Sequence, residues 1–399
     1  MYIKEIYTKF SHFLFYILFC LTLISNYVSL LINGTLLNFN TIAIVCVVGA
    51  ILLGTQILFL LRKSSIKGNN LYLFFIISFI CYTFFWSLIN VVVVNTEKYI
   101  LATIQSVELI IMWLGFIFIG YNLSLKKINI QLLLFSVVLT VISTIYYSIA
   151  VDTIAIYTKL FFTDDIEVGY QYLSRAALIV FILYAALQRE YIKRNIIMII
   201  GAYILFTIGS RSEFFAFLFS YIFVSVVDLI RDKLSIKKFL IFLFFIGVMS
   251  LIIYKNINIL LETRFSEIFN ISASTSWDAR AGSQDKAIAQ IKNSLIIGSY
   301  GGHIDEYGIR GYSHNILSAW VNYGFLGFLL YIIINLYALF YSLILYFWKK
   351  DGIEDNILWL NLILSLIVLI LIIFSKPIFW PLPALLWGLV LKSKITFKC

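Results

Sequence analysis

Residues 195–230 read NIIMIIGAYILFTIGSRSEFFAFLFSYIFVSVVDLI, 36 residues that are apolar almost throughout. A helix rises about 1.5 Å per residue, so one uninterrupted helix would run roughly 54 Å against a bilayer hydrocarbon core of about 30 Å. Gly209-Ser210-Arg211-Ser212-Glu213 breaks the run near its middle with a glycine, two hydroxyls and two charges. The chain is expected to turn back there, giving one span over 195–209 and a second over 212–230 with Arg211 at the tip of the reversal.

The same apolar texture extends in both directions. The 399 residues are 62% hydrophobic and 13% charged, with a mean hydropathy of +0.98, so the solvent that hides this surface is lipid. The reading gives an all-α integral membrane protein, a single polytopic membrane domain over 1–399, with about twelve transmembrane helices. They are expected near 11–32, 40–61, 71–94, 100–121, 130–150, 171–188, 195–209, 212–230, 238–254, 325–347, 356–374 and 378–392. The first apolar run follows Lys4 and Lys9, lacks a small-residue cleavage site and precedes many more spans, so it is read as a retained helix.

With the reversal in place, basic residues collect in alternate connections. They are Lys4 and Lys9; Arg62, Lys63 and Lys67; Lys126 and Lys127; Arg189, Lys193 and Arg194; Arg231, Lys233, Lys237 and Lys238; Lys349 and Lys350; and Lys392, Lys394 and Lys398. Positive charge stays on the cytoplasmic side, which places both termini there. The net charge of +10 therefore sets orientation, and nucleic acid is not an expected partner. Residues 255–324 form one large extracytoplasmic loop, inside which Ser276–Ile297 reads as a surface helix through Trp277, Ala281, Ala287, Ile288 and Ile291. Cys20, Cys46 and Cys81 lie inside apolar runs, and no metal-binding or disulfide spacing is present.

Charge on the outer side is the candidate chemistry, because charges at membrane depth are costly and mark a partner or substrate. Arg211 and Arg175 both defy the positive-inside trend, and the large loop adds Arg264, Arg280 and Arg310. A guanidinium is a planar fork that matches phosphate oxygens in pairs, so converging arginines suit a diphosphate. The competing reading pairs Arg211 with Glu213 or with carbonyls at the reversal, and makes Arg264 and Arg280 headgroup anchors. Of three histidines, His303 and His314 face outward. His314 is the candidate general base, although Ser313 or Asn315 beside it equally suits a helix cap. Nucleotide loops, dinucleotide fingerprints, zinc helices and nucleophile elbows are absent.

Taken in order, these pieces resemble the O-antigen polymerase and O-antigen ligase superfamily. The likeness rests on Gly209-Ser210-Arg211-Ser212 with Phe214 and Phe215, then Arg264-Phe265, Trp277 and Arg280, and Ala287 to Ile291. It continues through Ile297-Gly298-Ser299-Tyr300-Gly301, Ser313-His314-Asn315-Ile316-Leu317, and Gly324 with Gly327. It covers residues 200–330. Ser294-Leu295-Ile296-Ile297 replaces the family's usual proline, and the Gly-x-x-Gly of Gly298 to Gly301 is one residue longer than its counterpart. The resemblance implies a glycosyltransferase of the bacterial inner membrane, working on the periplasmic side without metal, cofactor or nucleotide sugar. Its substrate would be an undecaprenyl-diphosphate-linked glycan, its surroundings membrane lipids, and a chain-length regulator protein a further partner. Arg211, Arg264, Arg280 and Arg175 would then bind the diphosphate, His314 would act as base with Arg211 in the catalytic centre, and Asn315, Glu213 and Trp277 would support them. Polymerase is favoured over ligase because neither a core-acceptor surface nor an extra domain is evident. A flippase or secondary transporter would share the span count, with Glu108 near Trp113 as a midplane charge, and a membrane acyltransferase could use a lone histidine. The long outer loop and the outward histidines speak against both.

Overall fold

A computed structural model describes residues 2–33, 41–62, 71–94, 96–150, 169–231, 235–255, 275–308, 313, 315–348 and 355–396. Among these the chain is helical throughout, joined by turns. The order is α1 (Tyr2–Phe15), a π turn (Tyr16–Leu21), α2 (Thr22–Asn33), α3 (Thr41–Arg62), α4 (Leu71–Val94), α5 (Glu97–Asn122) and α6 (Ile130–Ala150). It continues with α7 (Gly169–Leu187), α8 (Tyr191–Thr207), α9 (Arg211–Arg231), α10 (Ile236–Lys255), α11 (Thr275–Asn293), α12 (Gly302–Tyr307), α13 (Leu317–Phe347), α14 (Asp355–Phe374) and α15 (Leu382–Thr396).

A helix stands in each of the expected apolar stretches, the last beginning at Leu382 and not at 378 because residues 375–381 form a turn. Among the described residues six segments are long and apolar enough to cross a membrane: Ile3–Ser29, Leu71–Val94, Glu97–Asn122, Arg211–Arg231, Leu317–Phe347 and Asp355–Phe374. Four shorter apolar helices of 10–17 residues accompany them. Several apolar helices on this scale mark a multi-pass membrane protein. The exterior is consistent with that: Phe74, Phe84, Phe85, Phe219 and Phe244 are exposed on helix surfaces, and lipid is the solvent in which such a surface is at rest.

Helix α5 is the hub. It packs along α15, α3 and α4, and the crossing with α15 is close enough that a Cβ on Gly120 would lie 2.1 Å from Leu385 O, and one on Gly388 2.4 Å from Ile117 O. Without a hydrophobic drive between helices in lipid, such small-residue contacts and buried hydrogen bonds supply the adhesion. Trp113 of α5 meets Phe79 of α4 at 4.9 Å and Trp387 of α15 at 5.9 Å. Trp387 Nε1 donates to Asn335 Oδ1 of α13 at 3.2 Å, and Asn361 of α14 donates to Ser393 of α15 at 2.8 Å.

Within the long loop, α11 ends at Asn293, a turn earlier than the expected 276–297, because residues 294–298 close a turn in which Gly298 N reaches Ser294 O at 2.8 Å. Ala287 and Ile291 of α11 bury against Val321 of α13, so one side of the surface helix is fastened to the bundle. Helix α13 starts eight residues before the expected 325 and contains a break at Gly324 (φ 65, ψ −172). The turn from 294 to 301 docks on this break: Phe325 N donates to Ile296 O at 3.0 Å and Ser299 N to Val321 O at 2.7 Å. Tyr300 Oη lies 3.1 Å from both Thr103 and Ser106 of α5.

Candidate functional site

Helix α8 ends at Thr207 and α9 begins at Arg211, with Gly209 taking the positive φ of 75° that the turn requires. The anticipated reversal is therefore present. Ser210-Arg211-Ser212-Glu213 has the spacing of a capping box, but its side chains are used differently. Ser210 Oγ donates to Glu213 Oε2 at 2.5 Å, and Ser212 Oγ donates to the same oxygen at 2.8 Å. The other oxygen, Oε1, takes Lys376 Nζ at 2.6 Å. Glu213 is 3% exposed and Lys376 8%, so this is a buried ion pair. Desolvating two charges is expensive and is offset only when geometry is good and the remaining lone pairs are satisfied, as three donors on one carboxylate achieve.

Lys376 comes from the turn 375–381 between α14 and α15. Ser375 N and Lys376 N both donate to Leu371 O, at 2.8 and 2.7 Å, which tightens the end of α14. Pro377 and Pro381 prevent the helix from continuing. Further along the same turn Ile378 N donates to Ser318 Oγ at 2.8 Å, and the Phe379 ring stands 5.8 Å from the imidazole of His303. One seven-residue turn thus touches the reversal, the start of α13 and helix α12.

A small pocket lies beside it, lined by Gln290, His303, Ser313, Ser318 and Asn322. His303 is 2% exposed, with Nε2 2.9 Å from Gln105 Oε1 of α5. Burial lowers its pKa to about 4. The Asn322 hydrogen bond opposes this, the Lys98 ammonium adds to it, and Asp305 opposes it. The imidazole is neutral at neutral pH and donates or accepts a hydrogen bond without charge. Next to the pocket, Asn315 Oδ1 accepts from Leu317 N at 3.0 Å and from Ser313 Oγ at 2.7 Å. Of the two roles open for this segment in the sequence, Asn315 takes the helix cap. Ser318 Oγ donates to Asn315 O at 2.7 Å while accepting from Ile378 N, which ties the cap to the turn.

The remaining candidates divide as follows. Arg211 opens α9 and is half-buried beside the Glu213 cluster. Arg175 is half-buried on α7, its guanidinium 5.5 Å from the Tyr172 ring centre. Trp277 and Arg280 belong to helix α11 by their backbone, and their side chains lie outside the described residues. Arg264, Arg310 and His314 also lie outside the described residues. The structure thus brings Glu213, two residues after Arg211, together with Lys376, and the turn that carries Lys376 reaches His303 through Phe379; neither Lys376 nor His303 was selected from the sequence. For Lys376 a signal existed: Ser375-Lys376-Pro377 puts a cation in a connection that the basic alternation assigns to the outer side. Among the described residues no group of three or more His, Cys, Asp or Glu side chains is arranged to hold a metal ion. Comparison with protein-family models, curated proteins and solved structures returns no match for this chain.

Proposed function

We propose that the protein is a membrane glycosyltransferase that joins undecaprenyl-diphosphate-linked oligosaccharide units into a surface polysaccharide, O-antigen or capsule, at the outer face of the bacterial inner membrane. The observation that carries this reading is the buried Glu213–Lys376 pair at the reversal that Arg211 opens. A chain this apolar retains charge at such a depth where a charged substrate needs it. In the proposed reaction an acceptor sugar hydroxyl attacks the anomeric carbon of the donor glycan. The bond from that carbon to the phosphate oxygen breaks, and the diphosphate leaves with the electron pair. The hydroxyl proton passes to His314, and cations led by Arg211 neutralise the charge that develops on the leaving group. A single displacement inverts the anomeric centre, so comparing the anomers of lipid-linked unit and product tests it; retained configuration contradicts this course.

Ligation to a lipid A core uses the same chemistry and is the second reading on the same resemblance. Gel analysis of surface polysaccharide separates the readings. A deletion strain is expected to carry single-repeat lipopolysaccharide, with the ladder restored by wild type but by neither Arg211→Ala nor His314→Ala at equal membrane levels. Core devoid of any repeat unit points to the ligase or to a flippase instead, and full ladders from both variants refute the site.

A further inference from the structure

We propose that Lys376 is a cation of the leaving-group site, seated by Glu213 so that its remaining donors meet a diphosphate oxygen. This rests on the glycosyl-transfer reading above. An ammonium carries three N–H donors, and the one partner of Lys376 Nζ among the described residues is Glu213 Oε1. The carboxylate, by contrast, takes three donors: Lys376 on Oε1, and Ser210 and Ser212 on Oε2. Glu213 thereby serves as the holder of the Lys376 ammonium. It keeps the ammonium of Lys376, a residue 8% exposed, at the beginning of α9, the same turn that Arg211 opens. Lys376 itself is paired with one carboxylate among the described residues, and attraction between its ammonium and an anion is strong where water is excluded.

The backbone around Lys376 directs that charge. Two hydrogen bonds to Leu371 O fix its amide and that of Ser375, and two residues later Ile378 N is bound to Ser318, a wall of the pocket that His303 and Asn322 complete. Two residues span at most about 7 Å of backbone, so the backbone that carries Lys376 adjoins the wall of the pocket. A diphosphate oxygen at Lys376 would leave the sugar it carries beside polar side chains that donate and accept neutrally. Arginine at the reversal supplies the paired fork, and lysine adds a point charge with freely rotating donors.

The test is a binding measurement on the full-length protein in detergent, with undecaprenyl diphosphate lacking any glycan as the probe, read by native mass spectrometry. Three proteins are compared: wild type, the neutral pair Glu213→Gln with Lys376→Met, and the exchanged pair Glu213→Lys with Lys376→Glu. Removing both charges together avoids stranding one of them, and the exchanged pair keeps an ion pair while moving the cation away from the turn. Wild type is expected to bind, and both folded variants to bind at least tenfold more weakly, with phosphatidylglycerol unable to compete. Wild-type affinity in either folded variant overturns the assignment and leaves Lys376 a packing element. Equal, Lys376-dependent binding of phosphatidylglycerol overturns it in favour of a general headgroup site. If wild type itself fails to bind the probe, the glycosyl-transfer reading falls and takes this inference with it. Binding that is intact yet indifferent to Lys376 defeats this inference alone.

Discussion

Glu213 and His303 show how the same environment acts oppositely on two side chains. Glu213 keeps its charge because three donors replace the water it lost, whereas His303 loses its charge because burial outweighs its neighbours. That difference has a sign that stability can read. With a folded pKa of about 4 against an ordinary value of 6.5, the unfolded chain takes up the proton first as pH falls. Stability is therefore full above pH 6.5 and declines between 6.5 and 4, by on the order of 3 kcal/mol once both states are protonated. Thermal unfolding in detergent is expected to show that decline in wild type and a shallower one in His303→Gln, which keeps a neutral hydrogen-bonding side chain. Parallel curves would contradict the neutral imidazole. Asn315→Ala removes the acceptor for Leu317 N at the start of α13, and a loss of about 1 kcal/mol is expected. The cap was already open as a reading of Ser313-His314-Asn315, because short polar side chains before an apolar run carry a local signal. Lys376 carried only the signal of a cation in a connection assigned to the outer side, which names no partner. Its partner sits on another helix, and pairing between distant segments leaves no periodicity in either one.

At the scale of elements, the break at Gly324 decides how the long loop meets the bundle. Its φ of 65° and ψ of −172° lie where glycine alone is unstrained, and a Cβ there would fall 2.3 Å from Ile296 O and 2.7 Å from Ile297 C. Gly324→Ala is expected to cost at least about 2 kcal/mol through strain and displacement of the docked turn. The environment of Trp320, whose Nε1 donates to Leu295 O at 2.8 Å, should change with it in fluorescence. The matched control is Gly282→Ala on α11, where a Cβ meets nothing within 4 Å; it should be neutral or slightly stabilising, since alanine is the better helix former. Equal stability of the two variants would show that the break does not need glycine. The helices themselves were legible from apolar run length, and the reversal at 209–213 from a run too long for one crossing. The break at 324 was not, because the expected span began at 325 and left this glycine as the last residue of the loop; that helix stands on both sides of it depends on the second segment that approaches it. Its cost is visible only in the carbonyl of Ile296 that faces it.

For the whole molecule, orientation is the property on which the proposed chemistry depends, since a lipid-linked glycan presented outside can be used only by a site that faces outward. The reversal, the 375–381 turn and α12 are joined by contacts through Lys376, Ile378 and Phe379, so they share one end of the bundle. The connection containing Leu125–Lys127 and the end of α15 share the other end, through Lys392 bound to Leu123 O and the His12 ring accepting from Ser124 N at 3.0 Å. Basic residues gather at this second end, which the positive-inside trend predicts to be the cytoplasmic one. Two exposed positions report the ends separately: Asn293 at the end of α11 and Gln131 at the start of α6. In a background with the native cysteines replaced, Asn293→Cys is expected to react with a membrane-impermeant thiol reagent in intact spheroplasts, and Gln131→Cys only after lysis. The reverse pattern would turn the molecule over. It would place Arg211, Lys376 and His303 in the cytoplasm, where a nucleotide-linked or thioester donor is the available chemistry, and would remove the ground for a lipid-diphosphate leaving group at this site.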